Sequence, residues 1–350
     1  MIYGNHIAGD TLHNVRVGIY GIEVSFRFIC DFNTTISHIR YYNIFSKDKP
    51  GYHLGTGGKI RIQIRENGDG NIPTDKVLAT VDINEPLLVG HFPLLEFTKP
   101  CQLEADKIYH IVFSNFDAEP EKNHVSVNCM VVFEQKTQPF LRENDLKTLF
   151  KSRYNGWQQF SKDWLVPIFS LYNGSVPVLG YGGMESWVRE PREISVNKKV
   201  RERFFSKIDL TVAGAFVRLG KNGLPKDLRV SLVNRHQSVI AKGTVSPFLV
   251  KSISTTIING FRLGHDWVLV KFNKPAKVKK DEEHFILLEN DGYDSYEIYP
   301  IRDGEQFGFN PLWKNSYAEY CLDGKNWRGW DAWGNPNQKI GKLQICLQVV

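Results

Sequence analysis

At 350 residues the chain has room for two or three domains, each with a sizeable core. Its 44 basic and 38 acidic side chains leave a net charge of +6 spread along the chain, without the concentrated basic face of a nucleic-acid binder. No apolar stretch approaches the roughly 20 residues that span a bilayer, so membrane insertion is not expected.

The opening, "MIYGNHIAGD", lacks the basic start and apolar run of a secretory signal. It is compatible with action where the chain is made, or with a mature chain carrying an added Met1. His6, Asp10 and His13 would share one face of a helix, but Gly4 and Gly9 argue against a helix there, and the three read as polar residues of an arm. From "VSFRF" (24–28) onward the period is two. "HIRYYNI" (38–44) and "KIRIQIRE" (59–66) alternate apolar and polar residues, as half-buried antiparallel strands do.

The turn "ENGDGN" (66–71) follows. Glu66, Asp69, Asn71 and Asp75 faintly resemble a calcium loop, but the acid spacing of an EF-hand is missing and a hairpin turn explains them. Further strands are expected at "VLATVDI" (77–83) and across "FTKP…YHIVFSN" (97–115). "RENDLKTLFKSR" (142–153), with Leu146, Leu149 and Phe150 on one face, predicts one short helix. "NGSVPVLGYGGMES" (173–186) interrupts the pattern. Its "GYGGM" lacks the GK[ST] of a phosphate loop and reads as a linker or strand kink.

The second half repeats the first. "VRERF" (200–204) answers "VSFRF", "KDLRVSL" (226–232) answers "GKIRIQI" (58–64), and "VIAKGTV" (239–245) answers "VLATVDI". "FNKP…HFILLEN" (272–290) matches 97–115 without a gap, at a constant offset of 175. Turns at "GKNGLP" (220–225) and "ENDG" (289–292), and a final strand "KLQICLQV" (342–349), complete the copy. The expected fold is all-β: two similar antiparallel β-sandwich, jelly-roll-like domains in tandem. The first spans 1–173, a linker or entry strand 174–196, and the second 197–350.

Cys30, Cys101, Cys129, Cys321 and Cys346 are scattered, without CxxC or a histidine at ligand spacing. Neither a disulfide framework nor a metal site is expected, and no cofactor is implied.

"GGKIRIQIRENGDGNIPTDKVLATVDI" (57–83) resembles a strand–turn–strand of accessory β-sandwich modules in extracellular proteins, where a proline-bearing loop precedes "VLAT". "FTKPCQLEADKIYHIVFSN" (97–115) is similar to the later strand pair of the same modules. They resemble carbohydrate-binding modules found beside glycan-degrading enzymes and in phage or cell-surface proteins. The resemblance rests on scaffold residues; the second half replaces the loop by "VNRHQSVIAKG" and puts His284 where Tyr109 stands. It implies an extracellular, cell-surface or virion setting.

Catalytic motifs are scarce. No G-x-S-x-G occurs. A lyase would draw on groups such as His110, Tyr109 and Arg61, and a glycosidase on two carboxylates among Glu96, Asp266 and Asp331, with nothing to select them. Aromatic loops stand out instead. Trp327, Trp330 and Trp333 sit among Asn326, Asp331 and other polar residues. Tyr154, Trp157 and Trp164 hold the corresponding stretch of the first half. Indole faces beside amides and carboxylates suit sugar rings, and a loop that is half core lid and half platform is expected. Non-enzymatic glycan recognition is therefore expected, at Trp327, Trp330, Trp333, Asp331 and Asn326, with Tyr154 and Trp157 as a second site. A polysaccharide is the partner; the alternatives are a virion or tail component contacting other proteins, and a jelly-roll lyase.

Overall fold

The computed structural model describes residues 2–4, 11–30, 33–41, 55–84, 94–131, 147–159, 165–181, 192–254, 257–258, 261–262, 264–298, 300–302, 313–329, 341–343 and 345–350. Apart from short 3-10 turns, the described residues are all-β. In chain order the strands begin with β1 (Ile2–Gly4), β2 (Thr11–Val17), β3 (Glu23–Ile29), β4 (Thr34–Tyr41), β5 (Ile60–Asn67), β6 (Pro73–Ile83), β7 (Leu94–Leu103) and β8 (Ile108–Asn115). Next come β9 (Val125–Val131), β10 (Lys147–Lys151), β11 (Gln158–Gln159), β12 (Leu165–Pro167), β13 (Phe169–Asn173) and β14 (Val176–Tyr181). The second half holds β15 (Arg192–Ile194), β16 (Lys199–Ser206), β17 (Leu210–Asn222), β18 (Leu228–Asn234), β19 (Val239–Val245), β20 (Ile257–Ile258), β21 (Phe261–Arg262) and β22 (Asp266–Val278). It closes with β23 (Glu283–Glu289), β24 (Ser295–Ile298), β25 (Pro300–Arg302), β26 (Trp313–Cys321), β27 (Trp327–Gly329), β28 (Gly341–Leu343) and β29 (Ile345–Val349).

Two compact units result. The first module is Gly9–Gln135 with Leu141–Gly182; the second is Gly183–Val350 with Lys136–Phe140 and Met1–Ala8. In the stretch 174–196, β14 pairs back on β13 within the first module, and β15 pairs with β24 in the second.

In the first module a six-stranded sheet, β11-β10-β3-β8-β5-β6, accompanies a four-stranded one, β14-β13-β4-β7. Alternation explains why they stack: Phe26 and Phe28 of β3 and Phe113 of β8 point to one side, where Tyr41 of β4 and Phe169 of β13 meet them. Ring centroids lie 5.0 Å apart for Phe26–Phe113, and 5.3 Å apart for both Phe28–Phe169 and Tyr41–Phe113. All five rings are fully buried, each contributing roughly 2–3 kcal/mol of apolar burial. The second module has the six-stranded sheet β27-β26-β16-β23-β18-β19 and a second six-stranded sheet, β1-β29-β17-β24-β15 with β22 also paired to β17; Val200, Phe204, Val230 and Leu288 join Val212, Val270 and Leu347 in one core.

Along β27-β26-β16-β23-β18-β19 and β1-β29-β17-β22 the strand order matches that of the first module, and so do the registers. Val24 pairs with Phe113 as Val200 pairs with Leu288, and Phe28 with Tyr109 as Phe204 with His284. Ile62 and Ile64 face Phe113 and Ile111 as Val230 and Leu232 face Leu288 and Ile286. Even the bulges recur. The ladder slips after Ile64 and after Leu232, and again after Ile36 and after Val212. An asparagine repeats atom for atom. Asn115 Nδ2 donates to the carbonyls of Val17 (3.4 Å) and Asn123 (2.7 Å), and its Oδ1 accepts from the Asp117 amide (2.9 Å). Asn290 Nδ2 donates to Ile194 (3.4 Å) and Asp294 (2.8 Å), and its Oδ1 accepts from the Gly292 amide (2.9 Å).

One expectation fails. Residues 147–151, expected in a helix, form β10, laddered from Lys147↔Arg27 to Lys151↔Glu23. Pairing with β3 outweighs the helical spacing of Leu146, Leu149 and Phe150.

Candidate functional site

The aromatic hairpins stand at equivalent places. Leu149 faces Gln159 across β10–β11 as Glu319 faces Gly329 across β26–β27. Counting back from those partners sets Trp157 against Trp327, and Tyr154 against Gly324. The sequence grouping is thereby shifted by three residues. Trp164, Trp330, Asp331 and Trp333 lie outside the described residues.

In the second module Trp327 is half-buried, and its ring is covered by the chain itself. The Arg201 guanidinium sits 4.1 Å from the Trp327 ring centroid and 4.5 Å from that of Phe285, between two aromatic faces. Arg201 Nε donates to Glu319 Oε2 at 2.6 Å and Nη1 to Gln237 Oε1 at 3.3 Å. Arg201 and Glu319 are directly opposed in the β16–β26 ladder, so strand register places the pair. Their side chains are only 14% and 13% exposed, which makes this stack stronger than a surface ion pair, with the cation–π part worth roughly 1–2 kcal/mol.

Asn326 belongs to the turn that presents Trp327. Asp323 Oδ1 accepts the amides of Lys325 (2.9 Å) and Asn326 (2.8 Å), and Oδ2 accepts Asn326 Nδ2 at 2.6 Å. These bonds, the Asn326 amide first, hold the Asp323 carboxyl well below the usual carboxylate range. The Asn326 side chain is therefore turned onto its own loop.

The first module is more open. Tyr154 is 75% exposed, in a turn where Ser152 Oγ accepts the amides of Tyr154 (3.3 Å) and Asn155 (3.2 Å). Trp157 is half-buried with Lys151 Nζ 6.0 Å from its ring centroid, and Asn155, Gln158 and Gln159 beside it are exposed. The Arg153 amide donates to the Tyr20 carbonyl at 3.1 Å, bringing Tyr20, 60% exposed, to the same end of the module. Sequence reasoning missed Tyr20. Its signal was "VGIYGI": Gly18 (φ 112) and Gly21 (φ 64) make a turn in which Tyr20 itself takes φ 53.

The loop end of the second module also exposes apolar side chains. Leu224, between β17 and β18, is 60% exposed; Phe248 and Leu249, after β19, are 81% and 72% exposed; Tyr293, between β23 and β24, is 91% exposed. The Leu224 amide donates to Asp294 Oδ2 at 2.7 Å, and Lys221 Nζ to the Pro247 carbonyl at 2.7 Å, so these loops converge.

Tyr109, His110 and Arg61, considered for catalysis, do not assemble, and Asp331 lies outside the described residues. Phe28↔Tyr109 and Arg27↔His110 are successive pairs, so Tyr109 and His110 point to opposite faces of the sheet. His110 is fully buried, with Ser25 Oγ 3.0 Å from Nδ1 and Asn67 Oδ1 2.8 Å from Nε2. Burial, helped by the Arg27 charge, pushes its pKa down to about 3, which holds it neutral. Arg61 faces Ser114, four residues along β5 from Arg65, the partner of His110, or about 13 Å away. It is paired with Asp82 through two bonds of 2.7 Å. Glu96 belongs to the first module; Asp266 belongs to the second, where Lys251 lies 2.8 Å away.

The candidate metal ligands are similarly engaged. Glu66 pairs with Lys76 at 2.7 Å, Asp75 with Arg65 at 4.0 Å, and Asn71 Oδ1 accepts Asn67 Nδ2 at 3.1 Å. His6 and Asp10 lie outside the described residues, and among the described residues no three of His, Cys, Asp and Glu gather around one point. All five cysteines are buried. Of the "GYGGM" stretch, Gly180 and Tyr181 are β14 residues paired with Ser170 and Phe169.

No protein-family profile, no curated protein and no solved structure matches this chain.

Proposed function

We propose that the chain recognises glycan surfaces without catalysis, through the aromatic loop ends of its two modules, in an extracellular, cell-surface or virion setting. The grouping of the exposed Tyr20 and Tyr154 with the half-buried Trp157, beside the exposed amides of Asn155, Gln158 and Gln159, supports this most strongly. Flat rings take the C–H face of a sugar, and the amides take its hydroxyl rim. The open first-module loop is the primary contact. In the second module the stacked Trp327 is chiefly structural, and Trp330, Asp331 and Trp333 remain the sugar-facing proposal there. Each stacked ring contributes on the order of 1 kcal/mol beyond burial, so binding depends on two modules engaging one repeating polymer.

A glycan array followed by polysaccharide-gel retention tests the reading. Tyr154→Ala and Tyr20→Ala should each lose retention with an unchanged melting temperature. Unaltered retention in both variants, or a wild-type chain that binds no glycan, removes it. A second reading, a virion or tail component that binds other proteins, is supported by Leu224, Leu249 and Phe248. An exposed apolar patch dominated by leucines suits a protein surface better than a sugar.

A further inference from the structure

The outer edge of the sheet built on β13 in the first module, and on its counterpart β29 in the second, is closed differently. In the first, β14 covers β13 after a two-residue turn at Gly174 and Ser175, and five residues of β13 are paired, from Phe169↔Tyr181 to Asn173↔Val176. In the second, β29 holds the place of β13. Tyr172 faces His38 and Phe169 faces Tyr41 across β13–β4, as Gln348 faces Gly214 and Ile345 faces Val217 across β29–β17. The strand on its outer edge is β1, with Ile2↔Gln348, Tyr3↔Leu347 and Gly4↔Cys346. The same seat is thus filled once by the next residues of the chain and once by a segment remote in sequence.

We propose that β1 is an exchangeable strand, donated by one copy of the chain to the β29 edge of a second copy. Among the described residues three pairs hold it, and it is remote in sequence from β29, whereas a two-residue turn tethers β14 to β13, so β1 detaches more readily. Once detached, it leaves β29 with a row of unpaired backbone donors and acceptors, which template an incoming strand. A second copy offers an identical strand with identical contacts, so exchange loses no contact energy and is drawn forward by concentration. Donor and acceptor are different surfaces, so the contact is heterologous. It propagates head to tail until a ring closes or a filament grows. This goes beyond the glycan reading and does not depend on it.

The register supplies the test, because Gly4 lies directly opposite Cys346, a buried free thiol. Full-length Gly4→Cys, treated with oxidised glutathione, should form a cross-strand disulfide, read on a non-reducing gel against the wild-type chain. Strand exchange gives species of two or more linked chains, whose share rises as protein concentration is raised about a hundredfold. Linked single chains alone, at every concentration, overturn the proposal, and so does the absence of any cross-link specific to the variant. The double variant Ile2→Cys/Gln348→Cys, two positions along the same ladder, gives the same reading if Gly4→Cys does not fold.

Discussion

Asn115 and Asn290 do the same work in different modules: each side-chain amide joins two chain segments and caps a turn. Replacing either by alanine leaves buried carbonyls without a donor, at a cost of roughly 2–3 kcal/mol. Asn115→Ala should lower the unfolding transition of the first module only, and Asn290→Ala that of the second, which calorimetry on the intact chain can resolve. His110 carries a pH dependence. Its folded pKa, about 3, lies below the unfolded value near 6.5, so the unfolded chain takes the proton first. Its contribution is whole above pH 6.5 and is lost as pH falls towards 3, with about 2 kcal/mol gone by pH 5. Urea unfolding at pH 7 and pH 5 should show this loss, and His110→Phe, which copies Phe285 at the equivalent position, should reduce it. His124 and His284 are also depressed by burial, so part of the slope stays. An undiminished slope in His110→Phe would show that the network is not its source.

At the scale of elements, the hairpins β10–β11 and β26–β27 have one geometry and two uses. Trp327→Ala removes one face of the Arg201 stack and should cost the second module roughly 1–2 kcal/mol while leaving glycan retention unchanged. A lost retention with unaltered stability would make Trp327 the platform after all. Strand β19 is tightly seated. A Cβ at Gly243 would come within 2.1 Å of the Lys271 carbonyl oxygen, so Gly243→Val should lower the melting temperature by several degrees, corresponding to roughly 2–3 kcal/mol of overpacking. Thermal melts check this.

These elements also mark what the sequence discloses. The period-two strands, the duplication and its register were legible, because alternation and turn chemistry are local. Strand β10 was not, because its partner β3 lies more than a hundred residues away in sequence and outweighs the local spacing. The aromatic loops were visible as a cluster of rings. Their roles were not, since whether an indole meets solvent or an arginine depends on a cross-strand partner. Tyr20 went unnoticed because its nearness to Tyr154 is created by a tertiary hydrogen bond.

For the whole molecule, the repeated strand order and the two compact units lead to two unfolding transitions on heating. Limited proteolysis should release fragments ending in the stretch between β14 and β15. A single transition, with all fragments lost together, would mean that the units unfold as one. The assignment of Met1–Ala8 to the second module could not have been read from the repeat, because β14, which holds the equivalent place in the first module, is that module's last strand along the chain.

The position of β1 has a mechanical consequence. Ile2 lies beside Gln348 in an antiparallel ladder, so a load drawing these two residues apart meets the pairs one after another, beginning with Ile2↔Gln348. That is peeling rather than shear, and it concentrates the whole force on one pair at a time. Stretched between those points, the chain would open first at this clasp, at low force and with both sandwich cores still intact. It would then re-form when relaxed, as a reversible shock absorber does.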